Sequence, residues 1–373
     1  MKLLIHDLSE AEWGKVAAEY EGWDVVAPNG DIKPCAGCFG CWMKETGVCV
    51  IKDGFERMGE RIHRAEEVVI ISHYTYGGFS SFVKNVMDRS IGYILPFFRI
   101  YKGETHHKPR YREKKPFRFI FLGKGLNDAE KEKASRYVKA VCRNFNATVK
   151  EVRFEEAGEQ EVEETTASTQ QPIVEGKTIL LNCSPHGEEG NSKKFLDVLA
   201  NGMEGDMESI NLYTYGKRLS ELVPMVQSAE KLVLGIPLYV DGIPSVLLRL
   251  MELLEKTRLH SNQKIYVVSN MGFYESKQLV NLLSMVKEWC EKSGGQYYGA
   301  IAIGAGGMIA PLLHYGSNGP GKNVYDGLTE MAGVVQTGGE FAEIYTKTHK
   351  FPRIAFLFAA NRIMKQGIER AKQ

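Results

Sequence analysis

Residues 65–88, "AEEVVIISHYTYGGFSSFVKNVMD", and residues 229–252, "AEKLVLGIPLYVDGIPSVLLRLME", superpose without a gap at an offset of 164. Ala65, Glu66, Val69, Gly78, Ser81 and Met87 meet identical residues, and most other positions of the apolar run stay apolar. In both segments a short run apolar on both faces follows one helical pattern and precedes another, as a strand buried in a parallel sheet does. Two such segments, at the same place in each half, predict two copies of one α/β unit.

Outward from these segments the alternation continues. Lys2–Ile5 reads as a strand, and "SEAEWGKVAAEY" after it as a helix with Ser9 and Glu12 at capping-box spacing. Asp53 stands as the expected cap of a helix whose Phe55, Met58, Ile62 and Ala65 share one face. "FRFIFLG" (117–123) is a further strand and "AEKEKASRYVKAVCRNF" a further helix. Residues 155–176, with six glutamates among their first ten and then small polar residues, read as an acidic linker. After it "KTILLNCSP", a helix from about Asn191, "KLVLGIP" and "KIYVVSN" restart the series. The expected division is 1–154, a linker 155–176, 177–304, and a C-terminal loop and helical extension over 305–373.

A chain of 373 residues with 43% hydrophobic content exceeds the size at which one core usually splits in two. Its 47 basic and 46 acidic residues nearly cancel, which leaves no field to favour nucleic acid or a membrane surface and points to small-molecule partners. No apolar run approaches a membrane span and the N-terminus lacks a signal h-region, so a cytoplasmic location is expected.

In open parallel sheets ligands bind beyond the carboxyl ends of the strands. The loop after "KTILLN" is "CSPHGEEGNSKKF", with hydroxyls at Ser184 and Ser192, an amide at Asn191, and Gly187 and Gly190 to free the backbone. The next helix opens at the same point, so the loop reads either as a cradle for a phosphate monoester or as an ordinary helix cap. Glu188 and Glu189 would repel a phosphate unless they point to solvent.

"PCAGCFGCWMKETGVC" (34–49) concentrates Cys35, Cys38, Cys41 and Cys49. Four thiolates at this spacing suit a four-iron, four-sulfur cluster; zinc is the second option, and a metal-free loop packing beside Phe39 and Trp42 the third. Cys142, Cys183 and Cys290 read as isolated core residues, the basic segment 101–118 as a solvated loop, and His106 and His107 as surface residues.

Together these motifs resemble the flavodoxin-like NAD(P)H-dependent FMN reductases and, among them, the iron-sulfur flavoproteins, over about residues 1–145 and 177–300. The resemblance implies two flavodoxin-like doubly wound parallel-sheet domains. It carries a Ser-Pro…Gly-Asn-Ser phosphate loop onto Ser184, Pro185, Gly190, Asn191 and Ser192, with His186 in place of the usual arginine. It carries a Pro-x-Tyr loop along the flavin ring onto Pro237, Leu238, Tyr239, Asp241, Gly242 and Pro244, and a third loop onto Asn270, Gly272 and Tyr274. In the first half, Lys84, Asp88 and Arg89 match the family's Lys-x-x-x-Asp-Arg helix, and the four cysteines its cysteine segment. No phosphate loop follows the first strand there, where the sequence is "HDLSEAEWG". The resemblance therefore implies one FMN, in the second half, and an intramolecular pseudo-dimer that brings Tyr74, Tyr76 and Phe79 or the cysteine loop to its ring, with higher oligomers open. The implied function is an NAD(P)H-dependent FMN oxidoreductase acting on a small acceptor or a neighbouring redox centre. The alternative is a non-enzymatic electron carrier passing electrons to another protein.

Overall fold

The computed structural model of the protein describes residues 1–28, 32–158, 170–348 and 351–371. The chain divides into unit 1, Met1–Val162 with Ala359–Gln373, and unit 2, Glu163–Phe358.

Unit 1 begins with β1 (Leu3–His6), α1 (Glu10–Val16), β2 (Asp24–Val26), the single turn α2 (Gly40–Met43) and α3 (Met58–Arg64). It continues through β3 (Val68–His73), α4 (Ser81–Arg89), β4 (Ile94–Tyr101), β5 (Glu104–Pro109), β6 (Pro116–Gly123), α5 (Asp128–Asn144) and β7 (Thr148–Glu156). Five strands pair in parallel in the order β2-β1-β3-β6-β7, the doubly wound order of flavodoxin-like sheets. The register sets Ile5 beside Ile70 and Ile70 beside Phe119 on one face. The alternate residues Leu4, Val69, Ile71 and Ile120 bury on the other, against Trp13, Val16 and Tyr20.

Unit 2 contains β8 (Val174–Asn182), α6 (Asn191–Ala200), β9 (Met207–Asn211), α7 (Leu222–Ser228), β10 (Ala229–Pro237), α8 (Ser245–Thr257) and β11 (Lys264–Asn270). It closes with α9 (Val280–Ser293), β12 (Gln296–Ile303), the turn α10 (Gly306–Ile309), α11 (Lys322–Thr337), β13 (Ile344–Tyr345) and α12 (Arg353–Arg370), whose residues from Ala359 count with unit 1. Its sheet runs β9-β8-β10-β11-β12-β13, all parallel: the same winding with a sixth strand at the far edge.

The offset of 164 seen in the sequence recurs in the coordinates. Val68 and Leu232 each pair with the first strand of their sheet, at Leu3 and Ile179. Thr75 bridges to Gly78 as Tyr239 bridges to Gly242. Helices α4 and α8 start at Ser81 and Ser245.

Several local expectations are corrected. Asp53 does not cap α3, whose N-cap is Arg57 without a side-chain bond. The Asp53 carboxylate instead accepts from Phe55 N at 3.2 Å and is drawn into an ion pair with Arg89. The basic segment is no solvated loop: β5 pairs antiparallel with β4 across the left-handed turn Lys102–Gly103 (φ 52° and 84°). His106 is 2% exposed, with Nδ1 2.7 Å from Asn144 Oδ1. The ends of the expected linker are strand, in β7 and β8, while its residues 159–169 lie outside those described. Residues from 305 onward supply α11 and β13 to unit 2. Among the described residues no helix is long and apolar enough to cross a membrane.

Candidate functional site

In each sheet the chain winds outward from its first strand and then crosses back, so the crevice at the reversal lies at the carboxyl ends of β8 and β10 in unit 2 and of β1 and β3 in unit 1. In unit 2 the loop from Cys183 to Gly190 leaves β8 and is pinned by Asn182. The Asn182 amide donates to Gly187 O at 2.9 Å, while its oxygen accepts from Ser184 N at 3.1 Å. Gly187 is left-handed (φ +56°), and a Cβ on Gly190 would stand 2.5 Å from Ser184 Oγ, so both positions require glycine. Gly190 is the N-cap of α6, a ten-residue helix, and no side chain caps that end. Its first N–H groups and positive dipole end are left facing the crevice. Glu188 and Glu189 are exposed, and Glu188 pairs with Lys193 at 3.6 Å.

Two further loops meet this one. Asn270, at the end of β11, is 4% exposed and donates through its amide to Ser192 Oγ at 2.7 Å, while its carbonyl accepts from Leu238 N at 2.8 Å. After Pro237 the chain makes a two-residue turn in which Tyr239 and Gly242 exchange backbone bonds of 3.1 and 2.9 Å. Its central residues, Val240 (φ 40°) and Asp241 (φ 59°), are both left-handed. A β-branched residue in that region is an outlier, and such strain, roughly 1–3 kcal/mol per residue, concentrates at ligand sites. Ser184, Gly190, Asn191, Ser192, Pro237, Leu238, Tyr239, Asp241, Gly242 and Asn270 therefore lie on loops and adjoining element ends at one end of one sheet. His186 and Gly272 are exposed. Tyr274 is engaged elsewhere: its hydroxyl donates to Phe351 O at 2.7 Å and its ring packs on Phe356.

A fourth loop escaped the sequence reading. After β12, Ala305 is left-handed (φ 53°), Gly306 packs against Met271 O and Asn270, and a Cβ on Gly307 would come 3.8 Å from the Asn191 amide. The run "GAGG" directly after a buried strand was its signal.

Unit 1 fills the equivalent end differently. Here the N-terminus of α1 is closed by the reciprocal Ser9–Glu12 capping box, so it is not bare. Asp7 accepts from His73 N at 3.1 Å and lies 3.2 Å from the His73 ring, which sits 3.2 Å from Glu12 on its other side. Burial opposes a charge on His73, but Asp7 and then Glu12 outweigh it and raise its pKa to about 9. Of the aromatics expected near a flavin, Phe79 is packed among Phe119, Phe121 and Tyr137 of its own unit.

The metal options for Cys35, Cys38, Cys41 and Cys49 find no support: among the described residues, no three His, Cys, Asp or Glu side chains are grouped to hold a metal ion. The four do not share one environment, since Cys38 is exposed and Cys41 is buried on α2. Burial first, then the negative charges around them, pushes the Cys35 and Cys41 thiols up to about 12, so in the metal-free loop both stay protonated at neutral pH. What holds this segment is α4. Arg89 makes a fork of 2.8 and 2.9 Å bonds to Asp53 and donates to Lys33 O and Ile51 O, and the Asn85 amide donates to Ile32 O. Lys84, fully buried, pairs with Asp88 one turn on. The Trp42 indole is shared by Ile91 O and Ile94 O at 3.0 Å, and its ring stacks on Phe39.

No family model matches the chain, and no curated protein matches it. Among solved structures, an FMN-dependent NADH-azoreductase from Bacillus anthracis str. Ames Ancestor in complex with FMN is 18% identical over 43% of this chain and 99% of its own, with a TM-score of 0.32. An azoreductase from Bacillus anthracis str. Sterne is 14% identical over the same shares, with a TM-score of 0.30. The Trp repressor binding protein from Bacillus subtilis is 15% identical over 34% of this chain and 83% of its own, with a TM-score of 0.28. At these scores the fold rests on the strand order of the two sheets themselves.

Proposed function

We propose that the protein is an FMN-dependent oxidoreductase that holds one FMN at the β8/β10 edge of unit 2, takes electrons from NADH or NADPH and passes them to a small acceptor. The observation that carries this reading is the first turn of α6. It is bare of side-chain caps, approached through glycines that tolerate no Cβ, cleared of its own carboxylates, and set where the strand order reverses. That donor set fits a phosphate monoester: Ser184, Asn191, Ser192 and the N–H groups after Gly190 would hold it, with His186 at the rim. Pro237, Leu238, Tyr239, Asp241 and Gly242 would lie along the ring, and Asn270 and Gly272 near its pyrimidine end. Tyr274 leaves this set, since Phe351 holds its hydroxyl.

Bound FMN supplies hydride and single-electron chemistry. The chain's own part is positional. The strained turn, locked by its two backbone bonds, presents a rigid edge, and Asn270 ties the turn's entry to the phosphate loop through Leu238 and Ser192. We also infer that units 1 and 2 are copies of one domain of which only the second kept an anion cradle. Reconstitution tests the reading: FMN should bind, and NADH or NADPH oxidation with a quinone acceptor should follow. Failure to bind FMN sinks the proposal, whereas FMN binding without turnover from either donor leaves an electron carrier.

A further inference from the structure

Unit 1 carries a second concave site, remote in sequence from the loops of the candidate flavin site. A cavity of about 320 Å³ opens between the β4–β5 turn and the C-terminal half of α5, lined by Tyr101, Lys102, Lys114, Lys139, Arg143 and Asn146 among others. No aspartate or glutamate lines it. Glu104, at the start of β5, pairs with Arg143 at 2.6 Å. Arg99 adds a fifth cation, its guanidinium 4.7 Å from the Tyr101 ring centre and its Nη2 donating to Asn146 Oδ1 at 3.2 Å.

These cations converge instead of spreading as a solvated face. Lys102 occupies the left-handed turn of the hairpin, and Lys114 is anchored by a 3.1 Å bond to the Tyr101 hydroxyl. The Lys114 bond, joined by the charges of Lys102 and Arg99, lowers the Tyr101 pKa, which reports a positive potential at the mouth of the cleft. The carbonyls ending α5 oppose an anion here, and Glu104 offsets Arg143, but a helix end carries about half a charge, against the full charges of Lys102, Lys114 and Lys139. In a chain of net charge +1, such a local excess within a cavity at the small end of ligand pockets is a recognition feature.

We propose that this cleft binds a small phosphorylated anion of diphosphate size, with Lys102, Lys114 and Lys139 on its oxygens and Arg143 and Asn146 at its floor. The diphosphate could be free or part of a nucleotide, and the two sources are separable by the probes used. The site is independent of FMN, and its test does not read flavin activity.

The experiment is calorimetric titration of the full chain with inorganic pyrophosphate, ADP and sulfate, on the wild type and on a Lys114→Glu, Lys139→Glu double variant. Both lysines are exposed, so the fold is retained, which circular dichroism checks. Lys124→Glu, outside the cleft, serves as control. The expected result is pyrophosphate binding at least tenfold tighter than sulfate, weakened at least thirtyfold in the double variant and less than twofold in the control. Tighter ADP than pyrophosphate assigns a nucleotide; equal affinity assigns the diphosphate alone. Binding that is no tighter than sulfate, or is unchanged in the double variant, overturns the proposal. Pyrophosphate taken up at the α6 loop instead is recognised because it survives the double variant and is lost on adding FMN.

Discussion

Helices α4 and α8 begin at corresponding serines after corresponding turns, yet what they bury differs. Where α4 buries Lys84, Asp88 and Arg89, at most 3% exposed, α8 buries Leu248 and keeps Glu252 and Leu253 half-exposed. The backbone does not choose between them; the neighbouring loop does. Unit 1 has the cysteine segment, whose carbonyls at Ile32, Lys33 and Ile51 need donors. In unit 2 the corresponding stretch after β9 is short turns and α7, and aliphatic side chains suffice. The helix starts after each first strand divide in the same way: α6 has no side-chain cap, while α1 is closed by its own glutamate. One architecture thus carries a clamp in one unit and a cradle in the other.

The largest effect that tests this contrast is expected at Arg89. Arg89→Met leaves Asp53 buried without its partner and should cost about 3–5 kcal/mol. Chemical denaturation followed by the tryptophans, three of four of which lie in unit 1, measures it. Leu253→Met in α8 should change stability by less than about 1.5 kcal/mol, and equal losses at the two positions would erase the comparison.

A second difference lies in pH. His73 has its folded pKa raised to about 9 from 6.5, so the stability it contributes is full below 6.5 and is lost as pH rises through 9. Glu12 is held below its ordinary range despite burial, by Ser9 and then His73, so its contribution is lost on acidification. Alkaline titration should loosen unit 1 around Trp13 ahead of unit 2. His73→Gln should flatten that dependence, and an unchanged profile in the variant would remove the triad from the account.

The smallest effect concerns the strained turn. Val240→Gly should stabilise unit 2 by about 1 kcal/mol if the left-handed valine stores strain. The same change should weaken FMN by a few-fold, because the ring's edge loses rigidity. Stabilisation with unaltered flavin affinity would make the strain incidental.

The parallel strands were legible because runs such as "VVIIS" and "KLVLGIP" are apolar on both faces. The loop between β8 and α6 was legible because its glycines and Asn-Ser pair sit directly after a strand. The hairpin was hidden by Pro96 and Pro109 and by a turn, Lys102–Gly103, without the usual Asn-Gly signal. Asp53 looked like a cap because its true partner, Arg89, lies 36 residues away, beyond any local pattern. The left-handed Val240 was invisible, since a β-branched residue gives no sign of positive φ, whereas Asp241 before Gly242 is a turn pair that tolerates it.

The most direct test is the stoichiometry of FMN. Titration of the full chain, followed by quenching of flavin fluorescence, should give one FMN per chain. Gly190→Val should weaken it at least a hundredfold, while Asp7→Asn and Ser9→Ala in unit 1 should leave it within twofold. Two flavins per chain, none, or a loss caused by the unit 1 substitutions would contradict the division into a cradle and a clamp.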